Sequence, residues 1–393
     1  MLSEQLEFVP DRDRQVFAAV PSAPAVFVLH GRDREAEPYV SKTANLRRRL
    51  ERLLGSPLEQ GRRLNLRDRV RQIEFSATGS EFESAFLLYK LLRSTFPKTY
   101  GQRLRLRLAP LIKLHFENQY PRVSITTRLG RRNGRNAYYG PFPSRVAAER
   151  YANDSLDLFK MRRCVEDLRP DPQFPGCVYS EMKMCLAPCF QGCTDAEYRA
   201  EVTRVDAYLE TGGESLVREI SARREAASAS LEFERAAGLH AQLEKIRSVG
   251  GQRPEIVRRI DQMMGVIVQT SAYPGAVNLF LIAAGSIADL LTFPIRTQEH
   301  SKSQSMEARL SAALAGIEPT GARSALETME HLALVGRWYY RSHRAGQIFL
   351  ADSRGVLPLR RIVRGIASVY RGEKFEPGTG EREGTAPVPD QSS

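Results

Sequence analysis

Apolar positions along this chain recur with two periods, and each predicts its own kind of element. Ala25 to Leu29 is continuously apolar between Pro24 and a polar turn, the signature of a buried strand. A short strand is expected at Pro38 to Val40. From about Thr43 to Leu54 leucines recur at helical spacing among arginines, with Thr43 placed to act as N-cap. A strand around Gln72 to Ser76 and an apolar helix from Ser80 to Leu92, ending near Pro97, complete a small α/β unit over residues 21–101. Residues 1–20 form a polar N-terminal segment ahead of it.

Leu104 to Ile125 alternates between basic and apolar residues in strand fashion. An Arg/Asn/Gly loop, Arg128 to Asn136, leads into Tyr138 to Phe142, and a helix from Arg145 to Phe159 delivers the chain to a cysteine-rich stretch, so residues 102–198 are expected to form one region. Asp195 opens a helical tract that runs to about Ser248 and is broken at Gly212-Gly213, which predicts antiparallel helices over residues 199–250. Residues 251–372 are expected to form a separate α+β unit. Its greasiest stretch, Ala276 to Phe293, is interrupted by Asn278, Ser286 and Asp289 and predicts two strands of a sheet, not a membrane span. Residues 373–393, rich in Gly, Glu and Pro, are expected to be disordered. The fold class is therefore α+β and multidomain.

Charge narrows the partners. Fifty-eight Lys and Arg face 46 Asp and Glu, a net +12, and such a field favours a polyanion, of which nucleic acid is the commonest. Arg47, Arg48, Arg49, Arg52, Arg62, Arg63, Arg67, Arg69 and Arg71 crowd one stretch, and Arg128, Arg131, Arg132 and Arg135 another. Their planar forks suit phosphate, through contacts that are sensitive to salt and blind to base sequence. Met1 to Arg14 is acidic and polar with no apolar core, so neither a signal peptide nor membrane attachment is expected, and the cytoplasm is the expected compartment. No small-molecule substrate is expected.

All five cysteines lie between Cys164 and Cys193, which argues for a metal centre over disulfides. Cys164, Cys177, Cys185 and Cys189 are spaced C-x12-C-x7-C-x3-C, with Arg162, Arg163 and Lys183 close by. Four thiolates can wrap one zinc ion or hold the corners of an iron–sulfur cube, and spacing does not choose between them. Cys193 is left over.

These segments resemble a known family. Phe159-Lys160-Met161-Arg162-Arg163-Cys164, Pro175-Gly176-Cys177, Cys185-Leu186-Ala187-Pro188-Cys189 and Glu197-Tyr198 resemble the central region of the UvrC excinuclease subunit, and Tyr139 to Ser144 resembles its YFGPYPS signature. The resemblance implies a four-iron four-sulfur cluster on the four cysteines, in a structural role, with zinc as the alternative. UvrC proteins begin with a GIY-YIG nuclease domain. Pro24-Ala25-Val26-Phe27 and Tyr39 to Leu50 resemble its PGVY and YIGKAxNLxxRL segments. By that resemblance Tyr39 matches the base that activates water and Arg49 the group that stabilises the phosphorane, with Lys42 beside them.

Three departures follow. Phe27 lacks the hydroxyl of the family's first tyrosine, Ser41 replaces a glycine, and Leu88 stands where the family places its sole metal-binding glutamate in EALLLEANL. Tyr100 also stands at the family's asparagine. Mg2+ or Mn2+ then has no carboxylate anchor, unless Glu74, Glu81 or Glu83 supplies one. Ser230 to Leu243 resembles the UVR motif, LEFERAAELRDQI, a helical hairpin that pairs with UvrB; Leu231, Leu239, Leu243 and Ile246 would form its apolar stripe, with His240-Ala241 in place of Arg-Asp. The similarity is expected to cover about Pro21 to Ile246, leaving 251–372 without a role. The expected function is a UvrC-like nucleotide-excision-repair protein that binds DNA and, through the helical hairpin, a UvrB-like partner, with an impaired GIY-YIG endonuclease site. The alternative is an active, Cho-like, metal-dependent endonuclease making one incision near a lesion.

Overall fold

The computed structural model describes residues 2–33, 35–56, 64–130, 134–295, 304–315 and 323–373. In these residues the architecture is α+β, with three four-stranded sheets joined through a helical region.

The first sheet comprises β1 (Glu4–Glu7), β2 (Ala25–Gly31), β3 (Tyr39–Thr43) and β4 (Val70–Ala77) in the order β1-β4-β2-β3, every pair antiparallel. The N-terminal segment thus supplies an edge strand, followed by helix α1 (Asp13–Ala19). β2 lies inside the sheet with Ala25 to Leu29 all buried, as its unbroken apolar run requires. Helix α2 (Leu46–Leu54) starts later than expected. Thr43 is still paired with Ala25 in the sheet, so the cap passes to Asn45, whose side chain accepts the Arg48 N–H at 3.0 Å. Leu46, Leu50, Leu53 and Leu54 then face the first core together with Phe27 and Phe75.

Helix α3 (Glu81–Thr95), capped by Ser80, extends past the expected end at Leu92 to the limit set by Pro97, and α4 (Tyr100–Leu104) follows. The second sheet has the order β6-β5-β7-β8, from β5 (Leu111–Leu114), β6 (Val123–Thr126), β7 (Ala137–Gly140) and a remote dipeptide, β8 (Arg258–Arg259). Helix α5 (Arg145–Leu156) and a single turn, α6 (Val178–Glu181), precede three helices: α7 (Asp195–Thr211), α8 (Glu214–Ala229) and α9 (Phe233–Gly251). The third sheet, β11-β10-β9-β12, contains β9 (Gly265–Thr270), β10 (Ala276–Ala283), β11 (Ser286–Pro294) and β12 (Gln347–Leu350), with α10 (Met306–Ala315), α11 (Ala325–Tyr339) and α12 (Leu359–Tyr370). β10 and β11 are the two strands foreseen in Ala276 to Phe293. The tail beyond Glu373 lies outside the described residues.

The largest core runs without interruption from Phe82, Phe86 and Tyr89 of α3 through β5, β7 and α5, the helices α7 to α9, and on to β9, β10 and α11. Helix α3 touches β2 and β3 while the ring of Phe82 meets Phe280 of β10 edge-on at 4.9 Å and Trp338 of α11 at 5.4 Å. At the turn before α3, a Cβ on Gly79 would come within 2.2 Å of the Ser271 carbonyl carbon. Only glycine permits that approach, and Thr270 Oγ1 donates to the Gly79 carbonyl at 2.5 Å across it. The C-terminal unit is therefore packed directly on the helix that follows the first sheet.

Candidate functional site

Tyr39 and Arg49 come together. Residue 39 opens β3 and residue 49 lies one turn into α2, so the strand-to-helix connection folds the guanidinium back, and Arg49 donates to the Tyr39 hydroxyl at 2.8 Å. The Tyr39 ring lies against fully buried Phe27, centroids 6.1 Å apart, and no hydroxyl occupies that side. Ser41 sits between Tyr39 and Thr43 on the strand, its Oγ donating to the Lys42 carbonyl at 3.4 Å.

Lys42 is three residues from Tyr39 on one strand, so alternation turns it to the opposite face of the sheet, towards α3. There it pairs with Glu81 at 3.4 Å and shares a cavity wall with Leu88. Glu74, Glu81 and Glu83 are all engaged. Glu74 accepts from Gln72 at 3.0 Å and lies 3.2 Å from His30 Nε2. Glu81 is bonded to both Lys42 and Arg341, and the Arg341 bond holds its carboxyl below the usual range. Glu83 accepts the Gly79 N–H at 2.7 Å, and burial pushes its carboxyl up.

Tyr100 has a partner that no local pattern foretold. Its hydroxyl donates to Oε1 of Glu330 at 2.6 Å, while Tyr89 donates to Oε2 at 2.8 Å. Glu330 is on α11 and is 5% exposed, so the two phenols hold a buried carboxylate from across the interface. Arg93 donates to Tyr89 at 2.9 Å and pairs with Glu327, which Arg323 also grips. Burial and the Glu330 carboxylate push the Tyr100 phenol up to about 12.

The arginines foreseen on DNA divide. Arg47 donates to the carbonyls of Val20 and Ala18, at 2.9 and 3.2 Å, closing the end of α1. Arg67 binds Asp13 and the Leu54 and Pro10 carbonyls. Both are thus occupied by the fold. Arg48 and Arg52 are exposed on α2 and make no ion pair among the described residues, and Arg52 borders a shallow cavity beside Arg49. Arg62, Arg63, Arg131 and Arg132 lie outside the described residues.

Cys164, Cys177, Cys185 and Cys189 are partly buried free thiols, and among the described residues no three His, Cys, Asp or Glu side chains are grouped to hold a metal ion as they stand. Burial pushes the Cys185 thiol up to about 11, and the charges of Cys164, Cys189 and Cys177 add to it. Two sulfurs already accept hydrogen bonds, Cys185 from the Ala187 N–H at 3.3 Å and Cys164 from Arg162 at 3.5 Å. Arg162 is 1% exposed; its other partners are the Tyr120 and Glu166 carbonyls and, through its amide, Tyr198. It has no carboxylate among the described residues. A buried cation needs a countercharge, and thiolates gathered on a metal centre supply one, so the donor set fits such a group in its chemistry.

Helices α8 and α9 pair along their length as a hairpin with its turn at Ser230 to Glu232. The expected stripe is divided. Leu239, Leu243 and Ile246 are buried in the molecule's own core, whereas Leu231 is 72% exposed at the tip, with Phe233 beside it at 67%. The apolar surface open to a partner is therefore the tip.

Comparison with known proteins adds a family context. Residues 109–207 match the family described as UvrC/Cho excinuclease, middle domain, and residues 214–249 match the UvrB/UvrC motif. UvrABC system protein C of Stenotrophomonas maltophilia (strain K279a) is 27% identical over 367 residues, 89% of this chain and 58% of that protein. The protein of the same name from Moorella thermoacetica is 32% identical over 59% of this chain and 37% of its own length. That of Methanothermobacter thermautotrophicus is 30% identical over 70% and 46%. This chain thus spans little more than half the length of the first of these, and less of the others. No solved structure matches. A match over 89% of the chain runs well past Ile246, so the expectation that similarity stops there is corrected: it continues into the C-terminal unit.

Proposed function

Since this chain is a relative of the UvrC proteins that carries their middle domain and UVR motif, we propose that it is an excision-repair factor that holds DNA and a UvrB-like partner while its own GIY-YIG-like site is impaired as an endonuclease. The observation that carries this is the fate of positions 88 and 100. Leu88 offers no oxygen to a hard cation, Tyr100 gives its hydroxyl to Glu330, and Glu74, Glu81 and Glu83 are all bonded elsewhere. Metal assistance is worth several kcal/mol of transition-state stabilisation, so its loss costs orders of magnitude in rate.

Arg48 and Arg52 would hold DNA by its backbone, and Leu231 with Phe233 would meet the partner. Cys164, Cys177, Cys185 and Cys189 would hold a four-iron four-sulfur cluster, or zinc in its place, tying the loop between α5 and α7 to a fixed shape; iron would give the anaerobically purified protein a brown colour that zinc does not. The cytoplasm suits this role.

The Tyr39–Arg49 hydrogen bond favours a second reading, an active Cho-like endonuclease. The test is incubation of the purified protein with nicked and damaged duplex plus Mg2+ or Mn2+. No incision is expected. Metal-dependent incision abolished by Tyr39→Phe defeats the first reading and establishes the second.

A further inference from the structure

Between α3 and α11 lies a cavity of about 280 Å3 whose walls carry Lys42, Arg103, Arg337, Arg341 and Arg344 against one carboxylate, Glu81. Glu81 bonds Lys42 and Arg341, and Arg103 pairs with Glu37 at 2.7 Å. Arg337 is exposed and has no ion pair among the described residues, and Arg344 is held over the Tyr339 ring at 4.3 Å. Five cations around one cavity repel each other, and an entering anion relieves that repulsion. A carboxylate at position 88 would have offset it; Leu88 leaves the potential positive.

The floor is apolar, formed by Phe82, Leu88, Leu104 and Trp338. One wall acceptor is unpartnered among the described residues. Gln269 is 0% exposed and borders the cavity, and its Nε2 donates to the Ala345 carbonyl at 3.1 Å, which fixes the amide orientation. Its Oε1 then has no hydrogen bond. A buried acceptor without a donor calls for a ligand that brings one.

A ligand with an anionic end, a flat apolar body and an N–H or O–H donor is a nucleotide. Ligand cavities for drug-sized molecules begin at about 300 Å3, so this one admits a single unit. We propose that the cavity takes one nucleotide bearing a terminal phosphate, without a metal ion: the phosphate among Lys42, Arg337 and Arg341, the base over Leu88, and a base or sugar donor on Gln269 Oε1. The site rests on the DNA-binding reading above and deepens it, because the natural source of that chemistry is then the phosphorylated end of a strand. A free nucleoside monophosphate presents the same groups.

The test is fluorescence anisotropy on the full chain with a short single strand labelled at its 3′ end, with and without a 5′ phosphate, and with an unphosphorylated duplex as reference. The phosphate is expected to tighten binding about tenfold or more. Arg337→Glu, at an exposed position, should abolish that gain while leaving duplex binding and Tm unchanged. Competition by deoxynucleoside monophosphates at similar concentration identifies free nucleotide as a ligand, and its absence assigns the site to strand ends. Equal affinity for both strands, with the duplex bound normally, overturns the cavity and leaves the proposed function standing. No binding to any DNA overturns both.

Discussion

The clamp on Glu330 joins the first sheet's helices to the C-terminal unit, and removing its donors has a calculable cost. Tyr100→Phe deletes one hydrogen bond to a carboxylate that is 5% exposed, and a bond to a charged group is worth about 1.5–3 kcal/mol. Tyr89→Phe should cost more, since that hydroxyl also accepts from Arg93. In the double variant the buried carboxylate has neither phenol, so the two losses are coupled through it.

The double variant is therefore expected to lose more than either single one, by an amount that departs from the sum of the two. Trp338, the sole tryptophan, packs on Phe82 in this interface, so its fluorescence during urea unfolding reports the joint directly, beside circular dichroism for the whole chain. The reasoning fails if Tyr100→Phe leaves the Trp338 transition unmoved, or if the two single losses simply add in the double variant.

Two further outcomes are expected. Leu231→Asp combined with Phe233→Ser changes residues that are 72% and 67% exposed, so affinity for a UvrB-like hairpin should fall at least tenfold in a pull-down or calorimetric titration while Tm stays within a degree or two; a large fall in Tm would show the tip to be part of the core. His331 accepts the Ile287 N–H at Nδ1 and lies edge-on to Phe86 and Tyr89, and burial lowers its pKa from 6.5 to about 4. Between those values the unfolded chain binds a proton that the folded one refuses, so this contribution is complete above pH 6.5 and is lost as pH falls towards 4. Urea titrations should show that slope, reduced in His331→Gln; an unchanged slope in the variant would exclude the residue as its source.

Local pattern was enough for the elements and for the kinship. Ala25 to Leu29 and Ala276 to Phe293 are strands because their apolar runs cannot be left in water, and α2 buries Leu46, Leu50, Leu53 and Leu54 because they share one face of a helix. The middle-region motifs and the hairpin segment are one-dimensional signals that a short stretch carries whole. Tyr39 and Arg49, ten residues apart across one strand-to-helix turn, are linked in sequence by the family resemblance. Even the start of α2 escaped by two residues, since Thr43 and Asn45 compete for the cap and the sheet settled it by holding Thr43 in register with Ala25.

What only the tertiary structure decided is which surfaces meet. Phe82, Phe86 and Tyr89 announce an apolar helix face, but nothing near them in sequence says that β10 and α11 cover it. Tyr100 meets Glu330 across 230 residues, and the run from Arg337 to Arg344 has no evident role until it closes over Lys42 and Leu88. Two residues, Arg258 and Arg259, complete a sheet begun more than a hundred positions earlier. Periodicity fixes which side of an element is buried. The partner depends on shape and charge matching between segments that no local rule links, and that matching is what places a cationic cavity around Leu88.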